Sequence, residues 1–201
     1  MRERLQAVEK VSIIACGTAH YMSMVGEYML EEYARIPTDV DLGSEFRYRQ
    51  TIIDDKTAFI FVSQSGETAD TLGALKEVKD KGGLTLGVVN VVGSALARET
   101  DAGVYAHAGP EIGVASTKAS VSQLAVLALI TLFLGRQRDL SLVMGQRIAR
   151  ELSLIPELIS RTLQCAPLVE ELAQKYGGFQ NFWFIGRKYN YPIALEGALK
   201  L

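Results

Sequence analysis

Ser63-Gln64-Ser65-Gly66-Glu67-Thr68 places three hydroxyls and one glycine directly after the apolar run Thr57 to Val62. If a helix begins at Thr68, its free N–H groups and macrodipole create an anion site. Hydroxyls at Ser63, Ser65 and Thr68 can donate to phosphate oxygens, Gln64 lies among them, and Gly66 lets the backbone approach closely. The loop carries no lysine, so it does not match GxxxxGK[ST]. A neutral hydroxyl cradle suits a phosphate monoester better than a triphosphate with magnesium. The structural alternative is helix capping by Ser65 or Thr68. One cap residue would satisfy that; three hydroxyls and a glycine exceed it, which favours phosphate binding.

Two further loops carry polar groups. Cys16-Gly17-Thr18 ends the run Val11 to Ala15. Thr18 can reach a sugar hydroxyl or cap the next helix, and capping is the commoner outcome. Cys16 and His20 would make a nucleophile and base, but a small buried cysteine is the usual case. The third loop, Ala108 to Lys118, holds Glu111, Ser116 and Thr117. Either Ser116 or Thr117 caps the following helix while Glu111 is solvated, or main-chain groups near Val114 and the Ser116 hydroxyl face a ligand. The sequence leaves both readings open. The two histidines and two cysteines are scattered without ligand spacing, so no metal is expected.

The elements that must position these loops alternate. Val11–Ala15, Asp39–Leu42, Thr57–Val62, Leu84–Val89 and Ala102–Tyr105 read as strands. Ala19–Ala34 (stopped by Pro37), Thr68–Lys81 (ended by Gly82-Gly83) and Ser94–Glu99 read as helices. Apolar strands separated by helices imply a doubly wound parallel sheet with helices on both faces. Ligands then bind at the carboxyl ends of the strands, where strand order reverses. Leu124–Leu134 is too short for a membrane span of about 20 residues and reads as a fully buried helix. Residues 137–176 look helical, with Pro156 and Pro167 at helix starts. Phe182–Ile185 reads as one more strand, and Pro192–Leu201 as a helix. VSIIACGT and FWFIGR resemble a weak repeat, so the expected division is a first domain over 1–136, a helical connection over 137–178 and the truncated start of a second copy over 179–201. The chain stops in an apolar helical stretch with no cap, as a boundary inside a longer protein would.

Composition removes several classes. The chain has 201 residues and a net charge of −2. Its apolar content of 48% excludes a disordered chain. A pI near 5.8 argues against a nucleic-acid binder with a general basic field. Two cysteines exclude a disulfide scaffold. Met1 to Lys10 is charged and shows no signal peptide, so a cytoplasmic location and no membrane partner are expected. No GxGxxG follows a strand, which argues against a dinucleotide, and no organic cofactor is expected.

SQSGETADTL (Ser63 to Leu72), GPEIGVASTKA (Gly109 to Ala119), SEFRYR (Ser44 to Arg49) and YPIALEGALKL (Tyr191 to Leu201) together resemble the isomerase half of the glutamine–fructose-6-phosphate aminotransferase family. The likeness runs from about Val11 to Leu201. It implies tandem sugar-isomerase (SIS) domains, each a flavodoxin-like five-stranded parallel sheet. It also implies that Ser63, Gln64, Ser65 and Thr68 hold the phosphate of fructose 6-phosphate and that Thr18, Val114 and Ser116 contact the sugar. Glu196 and Lys200 match residues lining the family's isomerisation site, and on a helix they would form an i,i+4 ion pair. Ala19 departs from the family's usual serine. The resemblance further implies a homodimer. The family's glutaminase domain and most of its isomerase catalytic groups fall outside these 201 residues, so the chain by itself is expected to be inactive. A SIS-type sugar-phosphate sensor without catalysis is the alternative.

Overall fold

Five short apolar runs form one sheet in which every neighbouring pair is parallel, in the order β2-β1-β3-β4-β5. The structure, a computed structural model, describes residues 1–113 and 116–201. In chain order the elements are α1 (Arg2–Gln6), β1 (Lys10–Ala15), α2 (Thr18–Met29), a π-helical turn (Leu30–Ala34), β2 (Thr38–Leu42) and α3 (Gly43–Tyr48). There follow β3 (Thr57–Ser63), α4 (Ala69–Asp80), β4 (Leu84–Val89), α5 (Ala95–Glu99), β5 (Ala102–Tyr105) and α6 (Lys118–Arg136). The remainder is α7 (Leu142–Thr162), a 3₁₀ turn (Leu163–Cys165), α8 (Ala166–Tyr176) and α9 (Asn190–Lys200).

The pleat sorts side chains into two cores, because successive strand residues point to opposite faces. Ile13, Ile60 and Val62 lie on one face with Leu30 and Leu127, under α2 and α6. Ile14, Phe59 and Phe61 lie on the other with Phe46, Leu75 and Leu96, under α3, α4 and α5. All seven residues of β3 are buried, as expected of a central strand covered on both faces. The order reverses between β1 and β3, so the turns after these two strands flank the switch-point crevice.

All five expected strands are present. The helices expected after β1, β3 and β4 are present too. The first ends in the π-helical turn, after which Arg35 turns left-handed at φ 57°. Three expectations need correction. Phe182–Ile185 forms no strand among the described residues; Trp183 and Ile185 are almost fully exposed. Apolar character alone does not make a strand, since the ladder needs a neighbour with free backbone groups. Pro156 lies inside α7 and not at a helix start. Proline removes one backbone bond there, and the other turns of a 21-residue helix hold its course. Pro167, by contrast, does stand at the start of α8.

The third correction concerns the apolar stretch Leu124–Leu134. It belongs to the 19-residue α6, whose 18-residue window Lys118–Gly135 has a mean hydropathy of 1.7, long and apolar enough to cross a membrane by length and composition. Only one face is buried. Val126, Leu127 and Leu134 pack inward into the core, and Ala119 and Gln123 are buried too, whereas Val121, Leu129 and Phe133 remain about half exposed.

Candidate functional site

The turns after β1 and β3, with the loop after β5, enclose a cavity of about 270 Å³ at the carboxyl edge of the sheet. The β3 turn contributes most of the wall: Ser63, Gln64, Ser65 and Thr68 all line it, and Thr71 stands behind them in the first turn of α4. This turn follows from local chemistry. Gly66 adopts φ +67°, where a side chain is strained, and its N–H donates to Ser63 Oγ at 3.0 Å. The Glu67 N–H donates to Ser65 Oγ at 3.1 Å. The Gly66 carbonyl accepts from Leu96 N and the Gln64 carbonyl from Asn90 N, so the next βα unit braces the turn.

These bonds bear on the capping alternative, since they show what each hydroxyl does within the turn. A serine hydroxyl has one proton to donate and two lone pairs to accept with. Ser63 and Ser65 both accept from backbone N–H groups, which leaves their protons available for an anion. Thr68 occupies the N-cap position of α4 but makes no side-chain cap bond; its Oγ1 lies 3.4 Å from Ser63 Oγ instead. The first turn of α4 therefore has no side-chain cap, and its positive dipole end begins at Thr68, which lines the cavity. Among the described residues lining the cavity there is no Lys or Arg.

The β1 turn supplies Cys16, Gly17, Thr18 and Ala19. Cys16 Sγ is half-buried and lies 3.7 Å from Thr71 Oγ1. Thr18 does not cap α2; its hydroxyl donates to Glu196 Oε1 at 3.0 Å. Glu196 in turn pairs with Lys200 at 3.0 Å, the i,i+4 pair that the spacing implies. Lys200 Nζ also donates to the main-chain oxygen of Ser116. Glu196 and Lys200 thus stand behind the cavity wall and reach it through Thr18 and Ser116. Tyr189 fixes the start of α9 on the π-helical turn: its hydroxyl donates to Glu32 Oε2 at 3.0 Å, and burial pushes its phenol upward.

The loop after β5 contributes Glu111, Gly113 and Ser116. The expected Val114 contact lies outside the described residues. Glu111 is not merely solvated. Its carboxylate accepts from the N–H groups of Ala119 and Thr117, at 3.0 and 3.1 Å, and from the Thr117 hydroxyl at 3.0 Å. Those bonds, the Ala119 N–H first, hold its carboxyl below the usual range. It is the cap of α6, supplied from outside the helix, so neither Ser116 nor Thr117 has that task. Ser116 Oγ stays at the cavity, 3.4 Å from Glu111 Oε2.

Sequence reasoning missed Thr71 and Gln123, which both line the cavity. The available signal for Gln123 was a lone amide inside an apolar helix. Among the described residues no group of three or more His, Cys, Asp and Glu is arranged to hold a metal ion.

An open 2-1-3-4-5 parallel sheet with a hydroxyl-lined crevice at its switch point defines a doubly wound α/β domain whose cavity lies where such sheets take their ligands. Residues 4–132 match the SIS domain, and the chain belongs to that family. It is 49% identical over 195 residues to a glutamine–fructose-6-phosphate aminotransferase (isomerizing) of Thermus thermophilus, covering 96% of this chain and 32% of that protein. The same-named protein of Chlorobaculum tepidum is 46% identical over 199 residues, covering 99% and 32%. The chain spans about a third of the length of these relatives. The solved C-terminal domain of glucosamine-fructose-6-phosphate aminotransferase from Francisella tularensis superposes with a TM-score of 0.95 at 37% identity, covering 99% of this chain and 57% of that one.

Proposed function

We propose that this chain is the sugar-phosphate-binding part of the isomerase domain of a glutamine–fructose-6-phosphate aminotransferase, and that its ligands are fructose 6-phosphate and glucosamine 6-phosphate. One observation carries the reading: Ser63 and Ser65 each accept a backbone N–H, so each keeps its proton to donate beside a helix N-terminus that has no side-chain cap. A phosphate monoester supplies that acceptor and needs no counter-cation. In this reading Ser63, Gln64, Ser65 and Thr68 hold the phosphate, and Thr18 and Ser116 meet the sugar. Lys200 and Thr18 hold the Glu196 carboxylate in place beside the isomerisation site. The likeness to the aminotransferases supports the parent activity, and it also supports a cytoplasmic homodimer, for which the exposed apolar face of α6 is a suitable surface.

Calorimetry with fructose 6-phosphate, fructose and inorganic phosphate tests the reading. Fructose 6-phosphate should bind and fructose should not. Ser65→Ala should weaken fructose 6-phosphate binding by about 1–3 kcal/mol, the usual worth of a hydrogen bond to a charged group together with its burial. Equal affinity of Ser65→Ala and wild type would show that the cradle is not the phosphate site.

A further inference from the structure

The cavity has a second polar wall that the phosphate cradle does not use. Gln123 projects from α6 and lines the cavity with its side chain only 1% exposed. Its Oε1 and Nε2 are both buried, and neither has a hydrogen-bond partner among the described residues. Buried amides are almost always bonded, since an unmade bond at a buried polar group is costly. The rest of the inward face of α6 shows no such conflict: Ala119, Val126, Leu127 and Leu134 are apolar, and Thr131 donates to the Leu127 carbonyl. Gln123 is therefore the one member of that face whose chemistry the fold leaves incomplete, among the described residues.

Its position says what would complete it. The phosphate cradle opens α4, which covers one face of the sheet, whereas α6 covers the other. A ligand anchored by its phosphate at Ser63, Ser65 and Thr68 shares the same cavity with Gln123 on α6, on the opposite side of the sheet from α4. The part of a sugar phosphate that lies away from its ester is a carbon chain bearing hydroxyls. A hydroxyl both donates and accepts, and so does a carboxamide, through Nε2 and Oε1. Two neighbouring hydroxyls can engage both amide atoms at once. Inorganic phosphate held in the cradle has no such extension.

We propose that Gln123 is a specificity-determining residue that reads hydroxyls of the sugar at the end of the cavity away from the phosphate. The proposal rests on the sugar-phosphate reading given above and assigns one residue's part in it. No described protein group bonds the amide, so its replacement breaks no bond within the fold and its worth is read when the sugar is bound.

The test uses the full 201-residue chain, with Gln123→Met as a near-isosteric apolar replacement and Gln123→Glu as a replacement of the same shape without the donor. Melting is measured without ligand, and calorimetry is run with fructose 6-phosphate and with inorganic phosphate. Gln123→Met should melt at or above the wild-type temperature, bind fructose 6-phosphate about tenfold more weakly and bind inorganic phosphate within about twofold of wild type. Gln123→Glu should also weaken fructose 6-phosphate. A Gln123→Met chain that melts several degrees lower, or does not fold, would mean the amide is bonded within the free fold, and the proposal fails. Parallel loss of both ligands would make Gln123 a packing residue, and unchanged affinity for fructose 6-phosphate would leave it solvated by water alone; either result overturns the assignment. Failure of the wild-type chain to bind fructose 6-phosphate is visible before any substitution and overturns the sugar-phosphate reading itself.

Discussion

Gly66→Ala is the sharpest single perturbation of the turn after β3. Gly66 has φ +67°, and a Cβ built on it would lie 2.1 Å from Ser94 Oγ and 2.6 Å from Ser94 Cβ. Two penalties therefore act together. The left-handed conformation costs an L-residue about 1–2 kcal/mol, offset in part by the stiffer unfolded chain. Forcing Ser94 aside is an overpacking cost of about 1–3 kcal/mol. Their net is about 2–3 kcal/mol, a fall in melting temperature of about 5–10 °C for a domain of this size. The two parts separate in a double-mutant cycle. Ser94 is the N-cap of α5, yet its hydroxyl makes no cap bond and has no partner among the described residues. Ser94→Gly should thus cost only about a few tenths of a kcal/mol. In that background Gly66→Ala should cost only about 1 kcal/mol, giving a coupling of about 1–2 kcal/mol. Chemical denaturation of the four proteins measures this. A cost of Gly66→Ala that is the same with and without Ser94 would refute the close approach as its cause. Fructose 6-phosphate affinity should follow the same pattern, lost in the single variant and partly restored in the double.

His20 is half-buried, and loss of hydration holds its imidazole below its ordinary 6.5. The folded chain therefore binds fewer protons than the unfolded one just below that value, and stability should fall as pH drops through about 6.5. Burial raises Glu27 and Asp41, which act in the opposite sense, so the readout is the difference between wild type and His20→Phe in denaturation at about pH 7.5, 6.5 and 5.5. Equal pH slopes for the two proteins would remove His20 from the account. Association through the exposed α6 face should give a light-scattering mass near twice 22.0 kDa, and Phe133→Lys, at a position about half exposed, should return it toward the monomer value. A monomeric wild type at high micromolar concentration would argue against the dimer.

The sheet was legible because its strands announce themselves locally. Thr57 to Val62 is unbroken, β-branched and aromatic, and no helix of that length could be completed before the serines that follow. Phe182 to Ile185 carries the same signal and failed, since a strand is a pairing and the signal says nothing of the partner. That Ser63, Gln64, Ser65 and Thr68 would share one turn was readable from their spacing, but what each hydroxyl bonds to was not. That depends on the left-handed turn at Gly66. Glu111 and Gln123 escaped for a related reason. Glu111 caps a helix from six to eight residues away, and the unpaired state of Gln123 is a property of its surroundings. Glu196 and Lys200 were paired correctly by helical spacing, whereas the bonds from α9 to Thr18 and Ser116 required the tertiary fold.

The bond from Thr18 to Glu196 closes a loop of 178 residues, whereas the sheet is assembled from strands far nearer to one another along the chain. Loop closure becomes entropically dearer with length, which favours the nearer pairings early. The β1–β3 ladder and the turn after β3 should therefore form before α9 docks. In reverse, α9 should be able to lift away with the ion pair of Lys200 and leave β1, β3 and the turn at Gly66 intact, as a low-energy opening below the global one. Amide protons of α9 would then exchange with solvent by a route that leaves those of β3 protected. The side of the cavity bordered by Thr18 and Ser116 would thereby follow a local equilibrium of its own, while the turn after β3 shares the stability of the whole sheet.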